Sequence, residues 1–181
     1  MAAIKQAQAL DPLNLVINAD ITIILWNAGQ VDEALAQALK VVEMDRGFVF
    51  RHQRLSQLYR YLGWDEEAAE EYFQAMILSG KSDALLAAYR KAYAKKGLAG
   101  IYQKEIEERL QDQARGTYSP PIFIGEFYNK LGQKELALKY LEIAFHQHSA
   151  EICYIKSFPE FAPMRSDPRF QDLLRRTGLD N

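Results

Sequence analysis

The segment Gly29-Gln-Val-Asp-Glu-Ala34 returns 34 residues later as Gly63-Trp-Asp-Glu-Glu-Ala68. Gly97 follows after a further 34 residues, and Gly132, which opens Gly132-Gln-Lys-Glu-Leu-Ala137, after 35 more. A chain punctuated at that spacing is built from repeats. Each interval carries two helix-forming stretches on either side of its glycine, which predicts one helical hairpin per unit. The apolar face of such a hairpin cannot be covered from within. Successive hairpins must therefore stack to bury a continuous core.

Composition narrows the function classes. A 181-residue chain can bury about 70% of the surface its unfolded form exposes. With 49% hydrophobic and 25% charged residues and a net charge of -2, it has an ordinary globular makeup, and nothing in it points to polyanion binding; nucleic acid is not an expected partner. The most apolar stretch, Leu13 to Trp26, is interrupted by Asn14, Asn18 and Asp20, so no membrane span is expected. The N-terminus lacks the apolar core of a signal peptide. Cys153, the one cysteine, has no internal partner, which fits a reducing, cytoplasmic setting.

In chain order, residues 1–12 read as a partial repeat, the back half of a hairpin stopped at Pro12, and imply a chain that begins inside a longer array. Residues 13–46 form the first full unit. Its front helix spans Leu15 to Ala28, with Ile17, Ile21, Ile24 and Leu25 on one face. Gly29 ends it, Asp32 caps the back helix, and Asp45-Arg46-Gly47 is the exit turn. Residues 47–80 repeat the plan, with helices Phe48 to Leu62 and Asp65 to Leu78 and the small Ala68 at the helix crossing. Residues 81–117 are irregular. Ser82 caps the front helix 83–96, and Tyr102 stands where Ala34 and Ala68 stand elsewhere, so the back helix is expected to lie farther off or to tilt. Ser119 and Pro120 are read as N-cap and first turn of the next unit, 118–148. A cap, 149–181, closes the array with a short helix at 151–157, an irregular turn at 159–163 and a last helix opened by Asp167-Pro168.

A 34-residue helix-pair period is the tetratricopeptide signature, and the chain resembles that family throughout. The tail, Met164-Arg-Ser-Asp-Pro-Arg-Phe-Gln-Asp-Leu-Leu-Arg-Arg-Thr-Gly-Leu179, is similar to tetratricopeptide segments at the C-terminus of bacterial signalling proteins, behind winged-helix, cyclase or kinase domains. Departures are Asn18 and His52, where a large aromatic is usual, and Tyr102 in place of alanine. The resemblance implies an all-α, right-handed superhelical solenoid of stacked hairpins with a C-terminal capping helix. It also implies a protein-interaction module or scaffold or, alternatively, a regulatory or sensory domain of a larger transcription factor, kinase or cyclase.

In such a stack the front helices line the concave groove. The residues placed there are Val16, Ile23 and Trp26, then Phe50, Gln53, Gln57, Arg60 and Tyr61, then Lys91 and Lys95. A fourth set is Ser119, Ile122, Glu126, Asn129 and Lys130. For Trp26 the competing reading is core packing. A peptide or partner helix with an apolar anchor and acidic residues complements this surface, and a second copy joined through the N-terminal end is the other occupant. Family members that grip a C-terminal carboxylate use Lys, Asn and Arg at positions occupied here by Ala19, Ile23, Arg54, Ala84 and Ala88, so that mode is not expected.

Chemistry is sparse. His146, His148 and Cys153 lack the convergent spacing of a metal site, and Cys153 is read as a small buried hydrophobe. The run Asp65-Glu66-Glu67 with Glu70 and Glu71 is read as a solvated helix start. No phosphate loop or nucleophile elbow occurs. No cofactor, metal or catalytic residue is expected, and a metal-dependent enzyme is the distant alternative.

Overall fold

The computed structural model describes residues 2–45 and 47–179. They form α1 (Ala2–Leu10), α2 (Leu15–Asn27), α3 (Val31–Met44), α4 (Val49–Tyr61), α5 (Asp65–Leu78), α6 (Asp83–Lys96), α7 (Leu98–Ala114), α8 (Pro121–Lys130), α9 (Lys134–His146) and α10 (Pro168–Arg176), with 3₁₀ segments at Ala150–Tyr154 and Pro159–Met164. No strand occurs among the described residues, and the chain is all-α. Arg46, the middle of the expected exit turn, lies outside the described residues. Packing divides the chain into two compact units, Met1–Lys91 and Ala92–Asn181, with the boundary inside α6.

The repeated glycines make the hairpin turns. Gly29, Gly63 and Gly132 take φ values of +77°, +77° and +72°, a region closed to most side-chain-bearing residues. In each case the next amide donates to a carbonyl five residues back: Gln30 to Leu25 at 3.0 Å, Trp64 to Tyr59 at 2.8 Å and Gln133 to Tyr128 at 2.9 Å. These bonds satisfy carbonyls that the helix end would leave orphaned. The turn runs directly into the next helix, and so Val31, not a capped Asp32, begins α3; no side chain caps it. Asp32 and Glu33 sit instead in its first turn, where negative charge favours the helix dipole.

Close packing follows from the small residues five positions after those glycines. Ala34, Ala68 and Ala137 are 0%, 1% and 0% exposed, in the pairs α2–α3, α4–α5 and α8–α9 that pack along one another. Ala68→Leu forces three extra carbons into this crossing and should destabilise the protein by about 1–3 kcal/mol. A urea midpoint equal to that of the parent chain would remove the argument for tight packing there.

The irregular stretch solves the same problem differently. Gly97, with φ +59° and ψ -149°, turns the chain within one residue. The close approach then falls at Gly100: a Cβ there would lie 2.1 Å from the Ala92 carbonyl oxygen. The close approach is therefore made at Gly100 and not at Tyr102. Tyr102 is 8% exposed, with its ring 5.9 Å from that of Phe127.

The tail is a true core. Phe161, Phe170, Met164, Leu173 and Ile155 join Ile122, Leu141 and Ala144 in one buried cluster. Two expectations are corrected here. The short helix expected at 151–157 is a 3₁₀ helix at Ala150–Tyr154, and the irregular turn expected at 159–163 is a 3₁₀ helix at Pro159–Met164. Helix α8 starts one residue later than expected, with Pro120 at the cap position and Pro121 inside, while the Ser119 hydroxyl is buried without a partner. Asp167 does cap α10, accepting from the Arg169 amide at 2.8 Å. Hydrogen bonds from the Arg169 side chain and from Lys134 hold its carboxyl well below the usual carboxylate range. Arg169 also grips Glu135 of α9 through two bonds, 2.7 and 2.9 Å, and Arg176 pairs with Glu142. Both pairs join residues 34 apart, so the tail helix keeps the repeat period in its ion pairs.

Candidate functional site

Helix α4 buries Arg51, His52, Leu55 and Leu58 and leaves another stripe uncovered. Phe50 and Tyr61 are 58% and 61% exposed, and eleven residues bring a helix back to nearly the same face. Gln53 and Gln57 stand between them at helical spacing, exposed and half-buried. Arg54 donates to the Gln57 side-chain oxygen at 3.0 Å, which orders the middle of the stripe. Arg60, half-buried, flanks Tyr61. An aromatic group thus marks each end of an amide- and guanidinium-bearing centre.

Helix α2 contributes less than the sequence promises. Val16 is 58% exposed and Ile23 half-buried, but Trp26, at 7%, belongs to the core with Ala34, Ala38, Leu55 and Leu58. Tyr61 packs against it edge-on at 5.6 Å, so Trp26 supports the surface from below. The buried residues of α2 are Asn18, Ala19, Ile21, Thr22 and Trp26; of the predicted face Ile21 is buried and Leu25 packs against the core, while Ile17 and Ile24 are only half-buried. The helix is apolar nearly all round, and periodicity alone could not choose its inner side.

Lys91 and Lys95 are exposed on α6, the first in one compact unit and the second in the other. The fourth set of groove residues is mostly covered: Ser119, Ile122 and Glu126 are 6%, 0% and 7% exposed. The reason is the tail. Asn129 donates to the Glu160 carbonyl at 2.6 Å, Ile122 sits in the tail cluster, and Lys130 pairs with Glu126 under the Tyr102 and Phe127 rings.

Charge is segregated between the two helices of the second hairpin. Helix α4 carries Arg51, His52, Arg54 and Arg60 and no carboxylate; α5 carries Asp65, Glu66, Glu67, Glu70 and Glu71 and no base. A net charge near zero for the whole chain hides this local polarity. Neither a protein-family model nor a curated protein matches this chain.

Two polar pairs, each with one buried member, were not legible as such in the sequence. Asn18 is fully buried and accepts through Oδ1 from Gln8 at 2.8 Å and Gln37 at 3.0 Å, while Nδ2 donates to the Pro12 and Asn14 carbonyls at 2.9 and 2.8 Å. One repeat later His52 Nδ1 lies 2.5 Å from Glu71 Oε2. Asn18 and His52 are 34 apart, as are Gln37 and Glu71, so both pairs are the same front-to-back rung. The 19-residue separation within each pair was the available signal.

Among the described residues no group of three or more His, Cys, Asp and Glu is placed to hold a metal ion. Cys153 is exposed, not the buried hydrophobe expected, with its thiol donating to the Ala150 carbonyl at 3.1 Å. No described helix is long and apolar enough to cross a membrane.

Proposed function

We propose that this chain is a tetratricopeptide-like interaction module, without catalytic activity of its own, whose hairpins stack as a right-handed solenoid and which binds a peptide or partner helix on the front-helix surface. The observation that carries the reading is the uncovered α4 stripe, in which Phe50 and Tyr61 stand exposed on one face of a helix whose charged groups are all basic. Exposed aromatics spaced by whole helical turns are anchors for an apolar side chain, and the guanidinium groups between and beside them favour carboxylates on the same partner. The role is that of a scaffold in the cytoplasm. The bacterial signalling setting implied by the tail remains part of this proposal.

Binding is tested by capturing partners on the purified chain and comparing it with the Phe50→Ala, Tyr61→Ala and Arg60→Ala variants. Each substitution should cost roughly 1–4 kcal/mol of binding, a tenfold rise in Kd for every 1.4 kcal/mol. Retention of every captured partner by all three folded variants would move the functional surface elsewhere.

A further inference from the structure

The exposed stripe of α4 has a counterpart on α5, opposite in charge and matched in spacing. On α5 the side formed by Ala68, Ala69, Phe73, Ala75 and Met76 is buried, which leaves the other side to Glu66, Glu67, Glu70, Ile77 and Leu78, all exposed. Residues 66, 70 and 77 follow one another at intervals of four and seven, so they lie on one side of the helix. Carboxylates therefore occupy the first two turns of that face and aliphatic groups the last turn, where Ile77 and Leu78 are 45% and 40% exposed. Among the described residues, Arg60 of α4 and Glu66, Glu67 and Glu70 of α5 enter no ion pair; Glu70 accepts only from Gln74, at 2.9 Å. One hairpin thus presents a basic face with exposed aromatics and, on its other helix, an acidic face with exposed aliphatics.

We propose that the partner helix of the α4 stripe is α5 of a second copy of this chain. The inference rests on that stripe being the interaction surface and names its occupant. An antiparallel approach brings the last turn of the second copy's α5 to the first turn of α4, so that Ile77 faces Phe50. Ten residues along each helix, about 15 Å at 1.5 Å per residue, Glu67 then faces Arg60. Between these ends the same register sets Glu70 against Gln57, an amide donor for a carboxylate, and Gln74 against Gln53, an amide for an amide. A parallel approach fails at both ends, because it sets carboxylates against Phe50 and Ile77 against Arg60. Charge complementarity of this kind selects the partner and its register, and here the chain itself supplies both halves. The two faces are different surfaces, so the contact is heterologous and generates a ring or an open row of copies.

The test is sedimentation velocity of the full chain at low salt, from low micromolar to several hundred micromolar. The parent chain should gain mass with concentration and lose that gain at high salt, which screens exposed charges. A front variant, Phe50→Glu with Arg60→Glu, and a back variant, Glu67→Gln with Ile77→Glu, should each associate roughly tenfold more weakly or worse. Mixed in equal amounts they should form a one-to-one dimer that grows no further, because the front variant keeps its own α5 and the back variant keeps its own α4. Phe50→Glu alone and Ile77→Glu alone, both at exposed positions, take their place where a double variant loses the helical spectrum. A parent chain that is monomeric throughout the range overturns the proposal. Folded variants that associate as the parent does, or that fail to complement each other on mixing, overturn it equally. The reading of the α4 stripe as an interaction surface fails separately: a monomeric parent whose captured partners are lost in Phe50→Ala leaves that reading standing and gives the stripe to another protein.

Discussion

Gly100→Ala is expected to destabilise the protein by about 3 kcal/mol or more, at the upper end of what overpacking produces. Elsewhere in a helix the same change is favourable by roughly 0.5–1 kcal/mol, because alanine restricts the unfolded chain and glycine does not. Here the added carbon would lie 2.1 Å from the Ala92 carbonyl oxygen and 2.6 Å from its carbon. A backbone carbonyl cannot rotate away as a side chain can. Gly125→Ala is the matched comparison: its Cβ would stand 3.1 Å from the Ala137 carbonyl oxygen, close enough to require a shift of a few tenths of an ångström and no more. Urea unfolding should rank Gly100→Ala well below Gly125→Ala. A Gly100→Ala chain more stable than its parent would mean the two backbones do not cross as described.

Phe161→Ala should cost about 3–5 kcal/mol, the range for emptying an aromatic site in a packed core. Phe161 is wholly buried, stacked on Phe158 at 6.3 Å and tilted against Phe170 at 6.0 Å. Its removal takes the centre out of the cluster that joins the tail to α8 and α9. Tyr154→Ala, at the 52% exposed end of the same aromatic run, should change stability by less than about 0.5 kcal/mol. Limited proteolysis provides a second reading, with cleavage after residue 148 accelerated in Phe161→Ala and unchanged in Tyr154→Ala. Equal sensitivity of the two variants would show that the aromatic run, and not the buried ring, holds the tail.

What the sequence disclosed was what its repeat period controls. The turn glycines, the small residues at Ala34, Ala68 and Ala137 and the bounds of α5 and α6 all follow from a spacing that two helices and two turns impose. Where a different residue solves the same steric problem, the period misleads. At Tyr102 it looked for a small side chain five residues after Gly97, while the chain met the need with Gly100, because its single-residue turn shortens the distance to the crossing. The 3₁₀ segments of the tail have no period to read. The exposed stripe of α4 that carries the proposal was legible because its buried residues, Leu55 and Leu58, contrast with polar neighbours. Trp26 and α2 were not, since apolar residues lie on nearly every side of that helix and its polar Asn18 and Thr22 are buried. The polar rungs were visible only as departures from an aromatic preference at Asn18 and His52, which revealed an anomaly without revealing its partner.

Those rungs bear on how an array of similar units avoids pairing its helices wrongly. Hairpins that share a period can dock one unit out of place with little loss of apolar burial, and the hydrophobic pattern alone would tolerate it. Asn18 finds Gln37 and His52 finds Glu71 within their own hairpins, and an exchange would set imidazole against amide and the Asn18 carbonyl oxygen against a carboxylate. An uncompensated buried polar group costs roughly 1–3 kcal/mol, and more when charged. The two rungs thus act as unlike keys in otherwise interchangeable locks, giving each front helix a chemical reason to recognise its own back helix while the chain is still finding its fold.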